Sequence, residues 1–399
     1  MTEITQKLNL PENVIKALKA LTDCLSQLTE RKDLMLCTGG FVRDVLLGES
    51  FNDIDLTLDE QVYDKFIPLL RNVPDFQSVG IDFTAGEEFE GKQIELFRFF
   101  LFGIDFDLKR STIGSGIMND VWKRDFTINS LYLNPFTYEV VDPKDYLQDI
   151  KTKTLRGVNS YGMTFIDRNR IIRAVRFKHK GFIFEPKLHE YMSNGAKDYM
   201  KEAKDPSDLQ RFGGELRKCM KSSQYKEILR ELIEGDLLAF LSLNKQVLLN
   251  SIGVVTLMKD SFCTASWKRL SSNEELLGRM GIKMDQESIE MRGMIMSYLI
   301  YFFIMYEEGE IKKRDVKRVQ IALMKQQTAK DLAKHHKKLK KILSKSSQHA
   351  HDDIIDYILE DAGALDVISI LPMYMPFNEV MLINEQLEAA VSSTGTSHN

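Results

Sequence analysis

The sequence predicts an α+β protein in which a small β-sheet domain is followed by a long, all-helical remainder. Three observations predict this fold class. Strand patterns alternate with short helical patterns up to about residue 150, and helical periodicity dominates from about residue 155 onward. A Gly-Gly pair and an Asp-Ile-Asp motif also follow one another between residues 39 and 55, where a strand gives way to a helix. With 399 residues, 43% of them hydrophobic, the chain is long enough for two or more domains.

The first 150 residues predict a sheet with helices on one side. An amphipathic helix is expected over residues 11–30, because Pro11 opens a run with helical apolar spacing. The apolar face of this helix comprises Val14, Leu18, Leu21 and Leu25. Strands are expected over residues 34–38, 93–99 and 137–142. The polar, glycine-containing stretch 103–120 is interpreted as a mobile loop.

The chemistry is predicted at the point where the first of these strands ends. Gly39 and Gly40 follow the strand, and their missing side chains let backbone N–H groups approach a phosphate closely. The next strand carries Asp53 and Asp55, and residues i and i+2 of a strand face the same way. Two carboxylates beside a phosphate-binding turn suit Mg²⁺ that is bound together with substrate phosphates. This combination predicts nucleotidyl transfer.

The full stretch reads Gly-Gly-Phe-Val-Arg-Asp and then Asp-Ile-Asp-Leu. It resembles the head-domain signature of the class II nucleotidyltransferases, the family of the tRNA nucleotidyltransferases (CCA-adding enzymes) and the bacterial-type poly(A) polymerases. The resemblance spans about residues 34–220. It implies that Gly39, Gly40 and Arg43 hold a triphosphate. It also implies a catalytic head over residues 1–152, a helical neck with base selection over 153–235, and an RNA-binding body and tail over 236–399.

Residues 123–131 read Lys-Arg-Asp-Phe-Thr-Ile-Asn-Ser-Leu and are similar to the family's Arg-Arg-Asp-Phe-Thr-Ile-Asn-Ala-Leu segment. Arg124 can donate two hydrogen bonds to a triphosphate. Asp125 can accept from a ribose hydroxyl, and Asn129 can bridge phosphate and sugar. The alternative is an ordinary helix start that Asp125 caps. The resemblance further implies that Glu95 completes the catalytic carboxylates; the alternative is a glutamate on the surface of a strand.

Residues 165–177 resemble the family's Glu-Asp-x-x-Arg helix. Asp167 and Arg170 are three residues apart, a spacing that puts them on one helix face. A carboxylate accepts from an exocyclic amine and a guanidinium donates to a ring nitrogen, an order that cytosine and adenine present and guanine and uracil reverse. The pair is therefore expected to select C and A; the alternative is an intrahelical ion pair worth about 0.2–0.5 kcal/mol. We expect Arg173 and Arg176 to bind the nucleotide as well.

Charge is strongly polarised, although the net charge is only −4. Residues 311–345 are rich in lysine and arginine, and only Asp315 and Asp331 oppose them. Such a run is usually a solvated helix face, but beside a nucleotidyltransferase head it predicts a binding surface for an RNA backbone. The residues proposed for it are Lys312, Lys313, Arg314, Lys317, Arg318, Lys337 and Lys338. His335 and His336 are interpreted as surface residues without a metal.

The four cysteines show no pairing or zinc-ligand spacing, which favours a reducing intracellular compartment. The apolar run Met294–Tyr306 is interpreted as too short to span a bilayer. We expect a cytoplasmic protein without membrane contact or an obligate protein partner, and mitochondrial or nuclear pools stay open.

The expected activity is the Mg²⁺-dependent addition of CCA to the 3′ end of tRNA from CTP and ATP, with release of pyrophosphate. A poly(A) polymerase, a partial CC- or A-adding enzyme and an inactive RNA-binding homologue remain as alternatives.

Overall fold

The computed structural model describes residues 3–89, 92–160, 165, 167–202, 206–264, 267–268, 286–324, 326–344, 350–360 and 364–394. The chain divides into two compact units, Met1–Gly195 and Ala196–Asn399. The first unit mixes strands and helices, and the described elements of the second unit are all helical. The predicted α+β class, a sheet-containing head followed by helices, is therefore confirmed. The predicted boundaries at residues 152 and 235 stay a prediction.

The first unit is built on a mixed eight-stranded sheet and a separate two-stranded sheet. Its strands are β1 (Glu3–Lys7), β2 (Met35–Thr38), β3 (Asp53–Asp59), β4 (Gln77–Phe89), β5 (Lys92–Leu101), β6 (Ile104–Ser111), β7 (Tyr132–Leu133), β8 (Glu139–Asp142), β9 (Thr154–Leu155) and β10 (Ile183–Phe184). Its helices are α1 (Glu12–Ser26), α2 (Gly40–Leu47), α3 (Glu60–Leu70), α4 (Met118–Val121), α5 (Leu147–Lys151), α6 (Asn169–His179) and α7 (Pro186–Asn194). Short 3₁₀ turns cover Lys32–Leu34, Ile113–Ser115 and Thr127–Asn129.

Strand β3 lies in the middle of the large sheet, whose order is β1-β8-β7-β2-β3-β6-β5-β4. It pairs antiparallel with β2 on one side and parallel with β6 on the other. Its apolar residues Ile54, Leu56 and Leu58 are buried. Helices α1 and α3 pack on the sheet. The alternate positions Asp53 and Asp55 therefore face the opposite side of the sheet.

The predicted helix over residues 11–30 is present as α1, whose four predicted apolar residues are all buried, but it ends at Ser26. The interpretation of residues 103–120 as a mobile loop is wrong, because they include β6. Apolar and polar residues alternate along β6, and its apolar positions are buried. The many polar residues of this stretch concealed its strand period, and the sheet is larger than predicted.

The second unit comprises a series of helices. They are α8 (Ala196–Lys201), α9 (Pro206–Lys221), α10 (Tyr225–Glu234), α11 (Lys245–Phe262), α12 (Gln286–Glu307), α13 (Lys313–Leu323), α14 (Gln326–Leu343), α15 (Ala350–Glu360), α16 (Ala364–Ile370) and α17 (Phe377–Thr394). Short 3₁₀ turns cover Ala239–Leu241 and Leu371–Met373. Helices α9 and α13 approach each other closely, since a Cβ at Gly213 would collide with the carbonyl oxygen of Ala322.

Helix α12 is longer than the apolar run Met294–Tyr306 that the sequence suggests. Its segment Ser288–Glu307 is long and apolar enough to cross a membrane by length and composition, so the interpretation of this run as too short is corrected. Of this window, 61% is buried inside the protein, a degree of burial also found in core helices of soluble proteins.

His335 and His336 are not surface residues, as the sequence suggested, but are buried on α14. Nδ1 of His335 lies 2.7 Å from the hydroxyl of Tyr357, and Nδ1 of His336 lies 2.6 Å from the hydroxyl of Tyr374. Nε2 of His336 is 3.2 Å from a carboxylate oxygen of Glu307. These interactions hold α14 to its neighbours in the second unit.

Candidate active site

The strand–glycine–helix junction lies at the end of β2. Gly39 has a φ of +72° and immediately precedes α2. A Cβ at this position would collide with Oδ2 of Asp55. Both the backbone conformation and the lack of space therefore require glycine here. The N-terminus of α2, with its unpaired N–H groups, consequently lies close to Asp55.

Four carboxylates share one face of the sheet next to this junction. In the parallel pairing of β3 with β6, Asp53 lies opposite Asp105 and Asp55 lies opposite Asp107. Thr38 lies opposite Asp55 on the other side, in β2. Since paired residues project from the same face, two Asp-x-Asp motifs meet at this point. The same face therefore concentrates negative charge.

The pKa of Asp55 reflects its burial first and the neighbouring charges second. Burial raises the pKa of Asp55 to about 6; Asp53 and Asp107 add to the rise, and Arg124 and Arg173 oppose it. The pKa of Asp105 is also raised, by burial and by Asp53. A cation bound between these carboxylates would relieve their repulsion.

The backbone register offers Asp107 as a second candidate for the third carboxylate, and the predicted role of Glu95 stays a prediction. Glu95 pairs with Phe83 of β4, and β6 lies between its strand and β3. The side chain of Glu95 lies outside the described residues. Asp107 is on the adjacent strand and in register with Asp55. A sequence signal existed, because Asp-Phe-Asp-Leu at 105–108 repeats the pattern of Asp-Ile-Asp-Leu at 53–56.

The donor set suits a metal that the substrate helps to bind. Across the described residues, no three His, Cys, Asp or Glu side chains are grouped closely enough to hold an ion by themselves. Mg²⁺ is usually bound by one or two carboxylates together with substrate phosphates and water. Asp53 and Asp55 fit that requirement, with Asp107 next to them in an ion pair of 3.2 Å with Arg98.

Arg43 lies in helix α2 next to the junction, and its predicted role at the triphosphate stays a prediction. It is buried, and its Nε and Nη2 atoms each donate to the carboxylate of Asp44 at 2.8 Å. Its Nη1 atom donates to Oδ1 of Asn129 at 2.6 Å. Arg43 therefore fastens helix α2 to the turn that Asn129 ends.

Arg124 also makes hydrogen bonds within the first unit. Its Nε donates to Oδ2 of Asp120 at 2.8 Å and to the hydroxyl of Tyr132 at 3.1 Å, and that hydroxyl donates to the same carboxylate oxygen at 2.7 Å. Burial raises the pKa of Asp120, but the attraction of Arg124 and Lys109 outweighs it, so the pKa is lowered. Sequence reasoning missed Asp120, whose carboxylate holds the guanidinium of Arg124, and the predicted binding of a triphosphate by Arg124 stays a prediction.

Asp125 and Asn129 connect the Lys123–Asn129 segment to helix α6. Asp125 accepts from Nδ2 of Asn129 at 2.9 Å and from Nε of Arg173 at 2.8 Å. Burial opposes its ionisation, but Arg173 and Asn129 lower the pKa of Asp125 to about 2. Arg170 donates to the carbonyl oxygens of Lys123 at 2.7 Å and Arg124 at 3.2 Å. These residues therefore bind one another, and their hydrogen bonds set the position of α6.

Asp167 and Arg170 do not share a helix face as predicted. Helix α6 begins at Asn169, and Asp167 lies in the turn before it, where its carboxylate accepts from the Asn169 N–H at 3.1 Å. The two residues are still linked, because the Arg170 N–H donates to the carbonyl oxygen of Asp167 at 3.1 Å. Arg176, in the last turn of α6, is partly exposed.

The predicted RNA-binding residues lie on or next to α13 and α14 in the second unit, and most of them are solvent-exposed. The exposed ones are Lys312, Lys313, Arg314, Lys317, Lys337 and Lys338. Arg318 differs, because it donates to the carbonyl oxygen of Phe240 at 3.2 Å and to the hydroxyl of Ser242. Helices α13 and α14 are called the basic helices below, because the exposed residues on and next to them form a cationic surface.

Comparisons with known proteins agree with this geometry. Residues 35–156 match the family model for the poly A polymerase head domain. The CCA-adding enzyme of Staphylococcus saprophyticus is 32% identical over 171 residues, which are 40% of this chain and 40% of that protein. The poly(A) polymerase I of Salmonella typhi is 32% identical over 157 residues, which are 36% of this chain and 33% of that protein. The chain thus spans less than half the length of these two relatives.

A solved structure has a similar fold. A tRNA nucleotidyltransferase complexed with a primer tRNA and an incoming ATP analog matches with a TM-score of 0.53 and 18% identity, covering 89% of this chain and 96% of that chain. At this identity the likeness shows the fold alone.

Proposed function

We propose that this chain is a template-independent nucleotidyltransferase that adds CCA to the 3′ end of tRNA. Two comparisons support the proposal: residues 35–156 match the poly A polymerase head domain, and a CCA-adding enzyme is among the relatives. One observation carries the proposal. Asp53 and Asp55 lie on one face of β3, and Asp55 is next to Gly39, the residue immediately before α2. This arrangement serves a phosphate-bound metal, and RNA binding alone does not require it.

In this proposal the 3′-hydroxyl of the RNA attacks the α-phosphorus of CTP or ATP in line, and pyrophosphate leaves. Gly39, Gly40 and the N-terminus of α2 hold the triphosphate through backbone N–H groups. Asp53 and Asp55 hold Mg²⁺, and Asp107 orients the attacking hydroxyl. When bound, Mg²⁺ supplies positive charge to the reacting phosphate and to the leaving group.

Base selection is assigned to Asp167 and Arg170 at the start of α6. The two hydrogen bonds from Arg170 to the Lys123 and Arg124 carbonyls support this assignment, since they anchor the guanidinium. Replacement of Arg170 by Ala should relax discrimination against UTP and GTP more than it weakens triphosphate binding. Steady-state incorporation of each of the four nucleotides measures this, and unchanged nucleotide choice would place the selector elsewhere.

The remaining parts of the proposal concern partners and location. The neck is assigned to residues 153–235 and the RNA-binding body and tail to 236–399, where the basic helices bind the tRNA backbone. The four cysteines are free thiols, in agreement with a reducing compartment such as the cytoplasm. No membrane contact or obligate protein partner is part of the proposal.

The test is extension of three tRNA transcripts that end before CCA, after C and after CC. Each transcript receives CTP, ATP or both with Mg²⁺, and a variant with Asp53 and Asp55 replaced by Ala is the matched control. Growth to CCA followed by arrest supports the proposal. Extension of only some transcripts would identify a partial CC- or A-adding enzyme, and no extension would leave an inactive RNA-binding homologue.

Poly(A) addition is the second candidate. It is favoured by the poly(A) polymerase I relative, which is as similar, at 32% identity, as the CCA-adding relative. The same assay separates the two activities, because a poly(A) polymerase would add long A tracts from ATP without arrest.

A further inference from the structure

Strand β6 carries a lysine, Lys109, on the same face as the carboxylates, and the proposed function gives this lysine no role. Asp105, Asp107 and Lys109 occupy alternate positions, so their side chains project from the same face. Lys109 pairs with Thr57 of β3 and Leu96 of β5. The hydroxyl of Thr57 is buried and has no hydrogen-bond partner among the described residues. Lys109 itself is partly exposed.

The arginines around this face already have carboxylate partners. Arg124 pairs with Asp120, Arg173 with Asp125, and Arg98 with Asp107. Lys109 is different, since within the part of the chain that the structure describes its ammonium has no hydrogen-bond or ion-pair partner. The charge of Lys109 helps to lower the pKa of Asp120 without a hydrogen bond between them. Asp120 is already hydrogen-bonded to Arg124 and Tyr132. Lys109 is therefore available to a ligand.

The direction of the reaction indicates which ligand this is. Gly39 and the N-terminus of α2 lie on the β2 side of β3, and Lys109 lies on the β6 side. In phosphoryl transfer the attacking and leaving oxygens lie roughly in line on opposite sides of the phosphorus. If the leaving pyrophosphate is held on the Gly39 side, the attacking RNA strand approaches over β6. The anionic group nearest to an attacking 3′-hydroxyl is the preceding backbone phosphate.

We propose that Lys109 binds a backbone phosphate of the RNA acceptor strand next to the attacking 3′-hydroxyl. This inference rests on the proposed nucleotidyltransferase function. It makes Lys109 a substrate-binding residue on the RNA side of the carboxylates, and the triphosphate binds on the other side. A lysine suits this role, because its flexible stem carries a compact charge that can follow successive phosphates.

The test replaces Lys109 by Met, which keeps the stem and removes the charge, and by Arg, which keeps the charge. The KM values for tRNA and for CTP are measured separately in the full-length chain, together with RNA binding at several salt concentrations. Lys109→Met should raise the KM for tRNA about tenfold, as expected when one charge-assisted hydrogen bond is removed, with the KM for CTP nearly unchanged. The salt dependence of RNA binding should fall by the equivalent of about one phosphate. Lys109→Arg should restore most of the affinity.

The control is Lys65→Met, which removes an exposed lysine of α3 and should change neither KM. A higher KM for CTP in Lys109→Met would overturn the inference in favour of binding to the triphosphate. A shifted pH–rate profile with both KM values unchanged would overturn it as well, because Lys109 would then only compensate the carboxylates. An inactive wild-type chain would refute the proposed function instead, and RNA binding would still decide the role of Lys109.

Discussion

The carboxylate face of β3 and β6 and the basic helices of the second unit use charge in two different ways. On the carboxylate face, like charges are held in register at fixed positions, and burial raises the pKa of Asp55 to about 6. On the basic helices, the lysines are exposed to solvent. Chemistry requires a fixed and energetically costly arrangement, whereas attraction of a polyanion depends mainly on the sum of the exposed charges.

The largest effect should follow from replacing Asp53 and Asp55 together by Ala. Incorporation should fall by at least about a thousandfold, because both carboxylates that are proposed to hold the metal are removed. RNA binding should stay within about twofold, since the basic helices are untouched. Primer extension and a binding titration on the same preparation measure both. Residual incorporation close to wild type would show that the metal site lies elsewhere.

A comparison of Asp107→Asn with Glu95→Gln should separate the two candidates for the third carboxylate. Asp107 is in register with Asp55, so its removal should lower kcat about a hundredfold. Glu95 belongs to β5, beyond β6, and its amide variant should remain within about twofold of wild type. Single-turnover extension with saturating tRNA and CTP measures the difference. The reverse order of effects would restore Glu95 to the role that the sequence suggested.

The cost of ionising the buried Asp55 should be measurable as a pH-dependent decrease in the free energy of unfolding. The pKa of Asp55 is raised from 3.8 in the unfolded chain to about 6 in the folded protein. The free energy of unfolding is therefore higher below about pH 4 than at pH 7, and this difference is lost as pH rises through 6. Asp55→Asn should therefore match wild type near pH 4 and be up to about 3 kcal/mol more stable at pH 7.5, without metal. Urea unfolding in a chelator at both pH values tests this. Equal free energies of unfolding for wild type and Asp55→Asn at pH 7.5 would contradict the predicted destabilisation by ionised Asp55.

The smallest effect should come from the basic helices. Replacement of Lys312, Lys313 and Lys317 by Gln should weaken tRNA binding about tenfold and lower the salt dependence by up to about 0.9 for each phosphate that is no longer neutralised. The kcat at saturating tRNA should not change. Arg318→Gln is the matched contrast, since Arg318 bonds to Phe240 and should affect stability more than the salt dependence. An unchanged salt dependence in the triple variant would remove these lysines from the RNA-binding surface.

Some of the fold and the site could be predicted because the signals are local. Helix α1 follows from apolar spacing, and its four predicted face residues are all buried. The carboxylate pair follows from strand alternation, which puts Asp53 and Asp55 on one face. Strand β6 shows the same alternation, but its polar content and the glycines around it led to the interpretation as a loop. The error hid Asp105, Asp107 and Lys109 from the sequence interpretation.

The sequence alone determined the α+β division, the strand–glycine–helix junction at Gly39 and the Asp53–Asp55 pair, because each depends on neighbouring residues and their backbone geometry. Only the tertiary structure decided that Asp107 lies beside Asp55, and that Arg43 and Arg124 bond to carboxylates of the head. The physical reason is that periodicity fixes which way a side chain points along its own element. Its partner depends on strand register and on distant segments that only the folded chain brings together.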